Sequence, residues 1–426
     1  MALGSAMHLW RFALAAAIAV AVLLASLQAS AHAREEAGKA AADEAISGQA
    51  FRDWLDLLRN EARGKGISDA TLDAALADIA PLVAVIELDR RQPEFTQTFW
   101  SYLRQRVSDE RVKRGRALLV KHRDLLNEIY AQYGVPPRYL IAFWGLETNF
   151  GDYLGSFPVI DALATLAYDR RRARFFRGEL LGALQILEEG HIAPAAMTGS
   201  WAGAMGQMQF IPSTFIGYAV DYTGDGRKDI WGSLPDAFSS AANFLFKLGW
   251  RAQEPWGWEV LLPRDFDLML ATTQIKKTLT AWSALGVQRT DGKPLPHLER
   301  EGAILLPQGH KGPAFLVYDN FRTIMRWNNS INYALSVGHL ADRIAGLPEL
   351  ATGREAEHKP LSRDAIGEIQ QLLNRLGFEA GAVDGLPGSR TRTAIRAFQQ
   401  KHALPPDGYP EPALLQRLRA AAATLP

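Results

Sequence analysis

Glu147 is the residue around which this sequence can be read as an enzyme. It lies in the run Pro136 to Gly151, where two prolines suit the first turn of a helix and Leu140, Ile141, Phe143, Trp144 and Leu146 make that helix apolar on most sides. A glutamate in a helix is ordinarily a solvated surface residue. Here Phe143 and Trp144 stand one turn earlier on the same face, and an apolar wall disfavours the ionised carboxylate, so the pKa is expected to rise. A carboxylic acid that keeps its proton near neutrality is what protonation of a glycosidic oxygen requires. Asn149 and Gly151 follow the helix, where a substrate chain could approach the backbone closely.

A second group of oxygen-bearing side chains lies in Asp221-Tyr222-Thr223-Gly224-Asp225-Gly226-Arg227-Lys228-Asp229, with oxygen ligands at positions 1, 3, 5 and 9 and glycine at 6, as in an EF-hand loop. The candidate calcium set is Asp221, Thr223, Asp225, Arg227 and the later Asp236. Position 12 is Gly232 instead of a bidentate glutamate, and Arg227 and Lys228 dilute the negative charge. An Asp-Gly turn held by its own side chains accounts for the same residues. A structural calcium ion is thus the one cofactor the sequence offers, and the acid-base chemistry itself requires none.

The elements that must position Glu147 are mainly helical. Phe51, Trp54, Leu55 and Leu58, and again Leu118, Leu119, Leu125, Leu126 and Ile129, recur at helical spacing, and this texture runs from about residue 51 to 346. It is interrupted between about 256 and 322, where Trp258, Val260 and Leu262 alternate with other residues. Ala303 to Leu306 and Ala314 to Tyr318 are short apolar runs bounded by Gly and Pro, which predicts a small inserted unit of strands. Residues 347–360 mix Pro, Gly, Glu and Lys without periodicity and read as a linker. Beyond it, Ser362 can cap a helix carrying Ile366, Ile369, Leu372, Leu373 and Leu376. Asp384-Gly385 and Asp407-Gly408 then precede helices around Phe398 and Leu415, which predicts a three-helix unit over 361–420. The linker composition suggests that this unit folds independently.

A chain of 426 residues suggests two or three folded units at roughly 100 to 200 residues each. Its 48% hydrophobic and 22% charged residues describe a globular protein with a large core. The 47 Lys and Arg balance 46 acids, so no overall field gathers phosphates and nucleic acid is not an expected partner. At the N-terminus, Arg11 precedes an apolar run from Phe12 to Leu27 and then Ala31-His32-Ala33, the pattern of a cleaved signal peptide over residues 1–33, followed by a tail to residue 50. A retained anchor is the alternative, although these sixteen residues fall short of the about 20 that a spanning helix needs. Cysteine is absent, which excludes disulfides and a lipid-bearing cysteine. The expected location is the periplasm.

Gly145-Leu146-Glu147-Thr148-Asn149-Phe150-Gly151 and Gly199-Ser200-Trp201-Ala202-Gly203-Ala204-Met205-Gly206-Gln207-Met208-Gln209-Phe210-Ile211-Pro212-Ser213 closely resemble the signatures of B-type lytic murein transglycosylases. Asn320-Phe321-Arg322 and Arg326-Trp327-Asn328-Asn329-Ser330 follow in the order and spacing that family shows, so the resemblance covers about residues 50 to 346. Leu376-Gly377-Phe378, Asp384-Gly385, Gly388, Thr391, Phe398-Gln399 and Asp407-Gly408 resemble a three-helix peptidoglycan-binding module. The resemblance implies a mainly α fold of α+β type: a lysozyme-like transglycosylase domain with a small β-containing insertion, joined to the three-helix module. It implies that Glu147 is the only catalytic carboxylate, first protonating the bond between N-acetylmuramic acid and N-acetylglucosamine, then deprotonating the C6 hydroxyl that closes a 1,6-anhydro ring.

Further site residues follow by motif match. Ser200 and Gln209 are expected to orient the N-acetyl sugar, Asn328 matches an active-site asparagine, and Tyr102 matches an aromatic near the acid. Arg171 and Arg172 match an arginine pair that can meet the carboxylates of muramic acid or its peptide, with a solvated charge run as the alternative. Phe175, Phe244 and Trp327 stand where the family commonly has tyrosine, so stacking should survive while the hydroxyl's hydrogen bond should not. Spacing alone leaves open a hydrolase in which Asp161 or Asp169 folds back toward Glu147 as a second carboxylate. It also leaves open a non-catalytic wall-binding scaffold, which loss of the acid would mark. The expected partners are peptidoglycan glycan strands and proteins of wall synthesis or division, with the chain itself a monomer.

Overall fold

The computed structural model describes residues 48–91, 97–351 and 360–424. The signal-peptide pattern, nearly all of the tail and residues 352–359 of the linker lie outside the described residues. Among the described residues no helix is long and apolar enough to cross a membrane.

Helices start where the sequence offers an oxygen to their free backbone donors. Ser68, Thr98, Ser108, Ser233, Ser330 and Ser362 each accept a hydrogen bond from the backbone N–H three residues on. Such caps are typically worth about 1 kcal/mol each. The helix Pro137–Thr148 carries Glu147 and lies at the centre of the larger unit. It packs against the helices Asp109–Lys121, Arg123–Tyr133, Leu234–Lys247 and Ile331–Ile344. Every residue from Tyr139 to Leu146 is buried, as expected of a helix that is apolar all round. Gly145 is needed because Phe150 folds back over the helix end, and a Cβ at this position would sit 2.7 Å from the Phe150 ring.

The interruption read between 256 and 322 is a five-stranded antiparallel sheet. Its spatial order is Lys277–Thr278, Glu301–Leu305, Ala314–Val317, Gly257–Leu261, Gln288–Arg289. Alternation along the central strands explains the continuous apolar runs. Ala303, Leu305, Phe315 and Val317 join the main helical core. Ile304, Leu306 and Leu316 face the other way and pack with Val260, Trp282 and Val287 in a small core of their own. Both faces are therefore covered.

The helices Arg363–Arg375, Ser389–Lys401 and Pro412–Ala423 enclose a third core of Ile366, Ile369, Leu373, Ile395, Phe398, Leu414 and Leu418. Two turns in this unit are built alike. Gln370 Nε2 donates to Asp384 Oδ1 at 2.8 Å while its Oε1 accepts from the Gly385 N–H at 2.9 Å. Gln399 does the same for Asp407 and Gly408, at 2.9 and 2.8 Å. The second turn also reaches the insert. Asp407 Oδ2 lies 3.0 Å from the backbone N and 2.6 Å from Nδ1 of His310, which follows the strand Glu301–Leu305 of the insert. Arg396 donates to the Ala271 carbonyl at 2.8 Å. The unit has its own core, and the insert meets it through the buried Asp407 carboxylate and the Arg396 guanidinium.

Candidate active site

The end of the Glu147 helix is shaped by an unusual backbone. Asn149 (φ 53°), Phe150 (φ 63°) and Gly151 (φ 85°) are all left-handed, which ends the helix abruptly and turns the chain across its last turn. Local bonds hold this turn. Thr148 Oγ1 accepts from the Gly151 N–H at 3.1 Å, and its own hydroxyl donates to the Gln207 carbonyl at 2.9 Å, tying the helix end to the glycine-rich block. Within that block Met205 and Phe210 exchange two backbone hydrogen bonds of 2.8 and 2.9 Å.

Glu147 itself is partly buried. Its Oε1 accepts from Trp327 Nε1–H at 2.9 Å and from the Tyr333 hydroxyl. Both donors come from a single corner: the helix Asp319–Trp327 ends at Trp327, Asn328 is extended, and Ser330 caps the next helix, Ile331–Ile344, by accepting from Tyr333 N. Burial pushes the Glu147 carboxyl up to about 7, against the opposing effects of the two donors and of the Arg106 positive charge. Burial and the adjacent Glu147 hold the Tyr333 hydroxyl far above its usual range, so it remains a donor.

The apolar wall differs in detail from the one read in the sequence. Phe143 contributes as expected, with its ring centroid 4.3 Å from that of Trp327. Trp144 does not face Glu147: it packs edge-on against Phe150 and Phe238, and its Nε1–H donates to Gln207 Oε1 at 2.7 Å. Its place is taken by Trp327, which is wedged against Phe143, Phe210 and Phe244. The loss of a hydrogen bond expected at position 327 is therefore corrected, because the indole N–H supplies one.

Other expected residues divide into three groups. Tyr102 is buried close enough to Tyr333 to raise its pKa further, with the Arg106 guanidinium over its ring, and exposed Asn328 sits beside Trp327 at the mouth of the site. Phe244 is buried behind Trp327, where it supports the indole instead of offering a face to a ligand. Ser200 and Gln209 shape the glycine-rich block: Ser200 Oγ accepts from the Ala202 and Ala204 N–H groups at 3.3 and 3.0 Å, and Gln209 Nε2 donates to the Leu154 and Gly206 carbonyls.

Arg171, Arg172 and Phe175 form the third group and make no hydrogen bond or ring contact with the Glu147 surroundings. Arg171 is committed to Asp89, a buried carboxylate that it meets at 2.5 Å. Arg172 lies over the rings of Phe175 and Phe176. Together they border an open surface hollow. Neither second-carboxylate candidate is among the charges acting on Glu147, and the half-buried Asp161 instead accepts from the Ala80 backbone. Tyr333 was not singled out in the sequence. Its only local signal is the capping serine three residues before it.

The expected calcium set does not assemble. Asp221 spends both oxygens on the N–H groups of Gly224, Asp225 and Gly226 and the Thr223 hydroxyl, and Asp225 turns to the Arg227 N–H. Asp236 is fully buried, with Oδ1 accepting from Tyr222 and Thr223 and Oδ2 from Asp229. Among the described residues no three acidic or histidine side chains are grouped to hold a metal ion. The loop is an Asp-Gly turn tied down by its own carboxylates, and Asp221, Thr223, Asp225, Arg227 and Asp236 are not gathered around a common point in it.

Residues 50–342 match the family model described as the transglycosylase SLT domain, and residues 362–418 match a peptidoglycan binding domain. The chain is similar to membrane-bound lytic murein transglycosylase B of Escherichia coli, 32% identical over 255 residues that make up 57% of this chain and 66% of the relative. It thus spans just under two thirds of that curated relative's length. Among solved structures it is similar to SltB3 from Pseudomonas aeruginosa in complex with NAG-anhNAM-pentapeptide, at 49% identity and a TM-score of 0.84, covering 87% of this chain and all of that one. It is also similar to the Escherichia coli lytic transglycosylase SLT35 in complex with calcium, at 29% identity and a TM-score of 0.58, covering 70% of this chain and 93% of that one.

Proposed function

The chain belongs to the transglycosylase SLT domain family, and on that premise we propose that it cleaves the β-1,4 bond between N-acetylmuramic acid and N-acetylglucosamine in peptidoglycan without consuming water. The observation that carries this reading is Glu147, a carboxyl held near neutrality by burial and gripped by two donors on one oxygen. In the first step the protonated carboxyl gives its proton to the glycosidic oxygen as the C1–O bond breaks, and positive charge develops at C1. In the second, the carboxylate so formed takes the proton of the muramic acid C6 hydroxyl while O6 attacks C1. The proton count returns to its start, and the product is a 1,6-anhydro ring.

A hydrolase would need a second carboxylate at a set distance to act as nucleophile or to activate water. Among the described residues no carboxylate is among the charges acting on Glu147, which favours the intramolecular route. In this reading Tyr102 and Asn328 contact the sugar at the mouth of the site, and Ser200 and Gln209 act by holding the loop beside it. The unit over 361–420 binds the wall, and the chain works as a monomer in the periplasm. Digesting purified sacculi and weighing the products tests the reaction. Ends lighter by one water than those of a lysozyme digest are expected, and predominantly reducing ends would overturn it.

A further inference from the structure

The two donors to Glu147 reach the same atom. Trp327 Nε1–H and the Tyr333 hydroxyl both end on Oε1, and among the described residues no hydrogen bond is made to Oε2. An indole N–H can only donate, and Tyr333 keeps its proton because ionising it beside Glu147 is strongly disfavoured. A proton placed on Oε1 would point at the indole proton, and the Tyr333 hydroxyl would have to give up its own donation to Oε1 in order to accept it. The indole cannot swing away to relieve this, since its ring centroid lies 4.3 Å from Phe143, 5.1 Å from Phe244 and 5.4 Å from Phe210.

From this geometry we propose that Trp327 is a positioning residue which, together with Tyr333, confines the acidic proton of Glu147 to Oε2 and turns that oxygen toward the substrate. The inference rests on the reading of Glu147 as the acid. It replaces the expectation that Trp327 acts by stacking on a sugar. One oxygen, Oε2, then serves both steps: it releases the proton to the glycosidic oxygen and later receives the proton from the C6 hydroxyl. Oε1 remains an acceptor throughout, so the carboxyl does not rotate between steps, and the two donors strengthen when the carboxylate forms. The ionisable groups facing Glu147 are Tyr333 from the helix Ile331–Ile344, and Arg106 with Tyr102 behind it from the helix Phe99–Arg106. None of these is altered by a change at Trp327.

The test removes the N–H and keeps the packing. Replacing Trp327 with benzothienylalanine preserves the bicyclic shape and puts sulfur in place of the N–H, and Trp327→Phe is the simpler companion. Losing a donor that favours the carboxylate should move the basic limb of the kcat/KM profile upward by about one pH unit. The loss should fall mainly on kcat, by roughly tenfold, with KM little changed. An infrared difference spectrum, with Glu147→Gln as the blank, supplies a second readout. If Oε1 is the carbonyl oxygen of the neutral acid, the C=O stretch rises in the benzothienyl protein. If the proton sits on Oε1, that stretch stays where it was. An unmoved limb with a raised KM, or an unmoved stretch, overturns the inference. A wild-type enzyme with no basic limb near neutrality would instead overturn the reading of Glu147 as the acid.

Discussion

Burying a carboxyl so that it titrates near neutrality has a cost that should be visible in stability as well as in rate. The Glu147 pKa is raised from 4.5 to about 7, with burial as the largest cause. Below the unfolded value the group is neutral in both states and costs nothing. As pH rises through this interval the unfolded chain ionises Glu147 while the folded chain holds the proton, so stability falls. Above the folded value both states are ionised and the loss is constant. At 1.36 kcal/mol per unit, the loss approaches about 3 kcal/mol. Glu147→Gln should abolish turnover, because both proton transfers vanish, and at the same time remove this dependence. Urea denaturation followed by tryptophan fluorescence, near pH 4 and near pH 8, checks it. The stability gained by the variant should be larger at the higher pH by about 3 kcal/mol, and comparing the two conditions cancels whatever the amide costs in packing. A difference independent of pH would refute the claim that desolvation of this carboxyl sets its acidity, and a turnover above a few per cent of wild type would show that Glu147 is not the acid.

Asp236→Ala should destabilise the larger unit by at least about 2 kcal/mol, since it leaves the backbone donors of Tyr222, Thr223 and Asp229 without their acceptor in a buried position. A calcium chelator should leave the wild-type melting temperature unchanged, and a drop of several degrees would restore the loop as a metal site. His310→Ala removes the ring that meets Asp407 while the Asp407 bond to Gln399 remains, so the C-terminal unit should keep its fold but loosen its grip on the insert. Small-angle scattering should show a larger radius of gyration in this variant with sacculus binding retained, and unchanged scattering would show that the remaining contacts suffice for docking.

What could be read from the sequence was set by how far apart the cooperating residues lie. Capping serines act over three positions, and Ser362 does cap the helix beside it. The central strands of the insert were legible because both of their faces are buried, which writes unbroken apolar runs into the chain. The two-residue strands Lys277–Thr278 and Gln288–Arg289 were not, since two residues carry no period. The Asp221 loop was legible as a turn for the same local reason, while the backbone N–H groups that meet both oxygens of Asp236 were not. The partner of Arg171 could not be read, because Asp89 lies 82 positions away and nothing near either residue marks the pair.

The same distance explains why the acid was legible and its setting was not. Glu147 could be singled out because an apolar helix surrounds it in sequence. Its two donors lie 180 and 186 positions away. Residue type alone marks neither as a donor: no motif singles out Tyr333, and Trp327 reads as a flat surface for a sugar. What decides their roles is which edge each ring turns toward Oε1, and that is set by the corner between two helices. Trp327 is the last residue of one helix and Tyr333 lies in the first turn of the next, with the Asn328 carbonyl bonded to the Ser330 N–H at 2.7 Å between them. The short corner therefore couples the two donors, and a change in its length would move both together. Preserving the acid thus requires conserving a turn geometry as well as the two side chains.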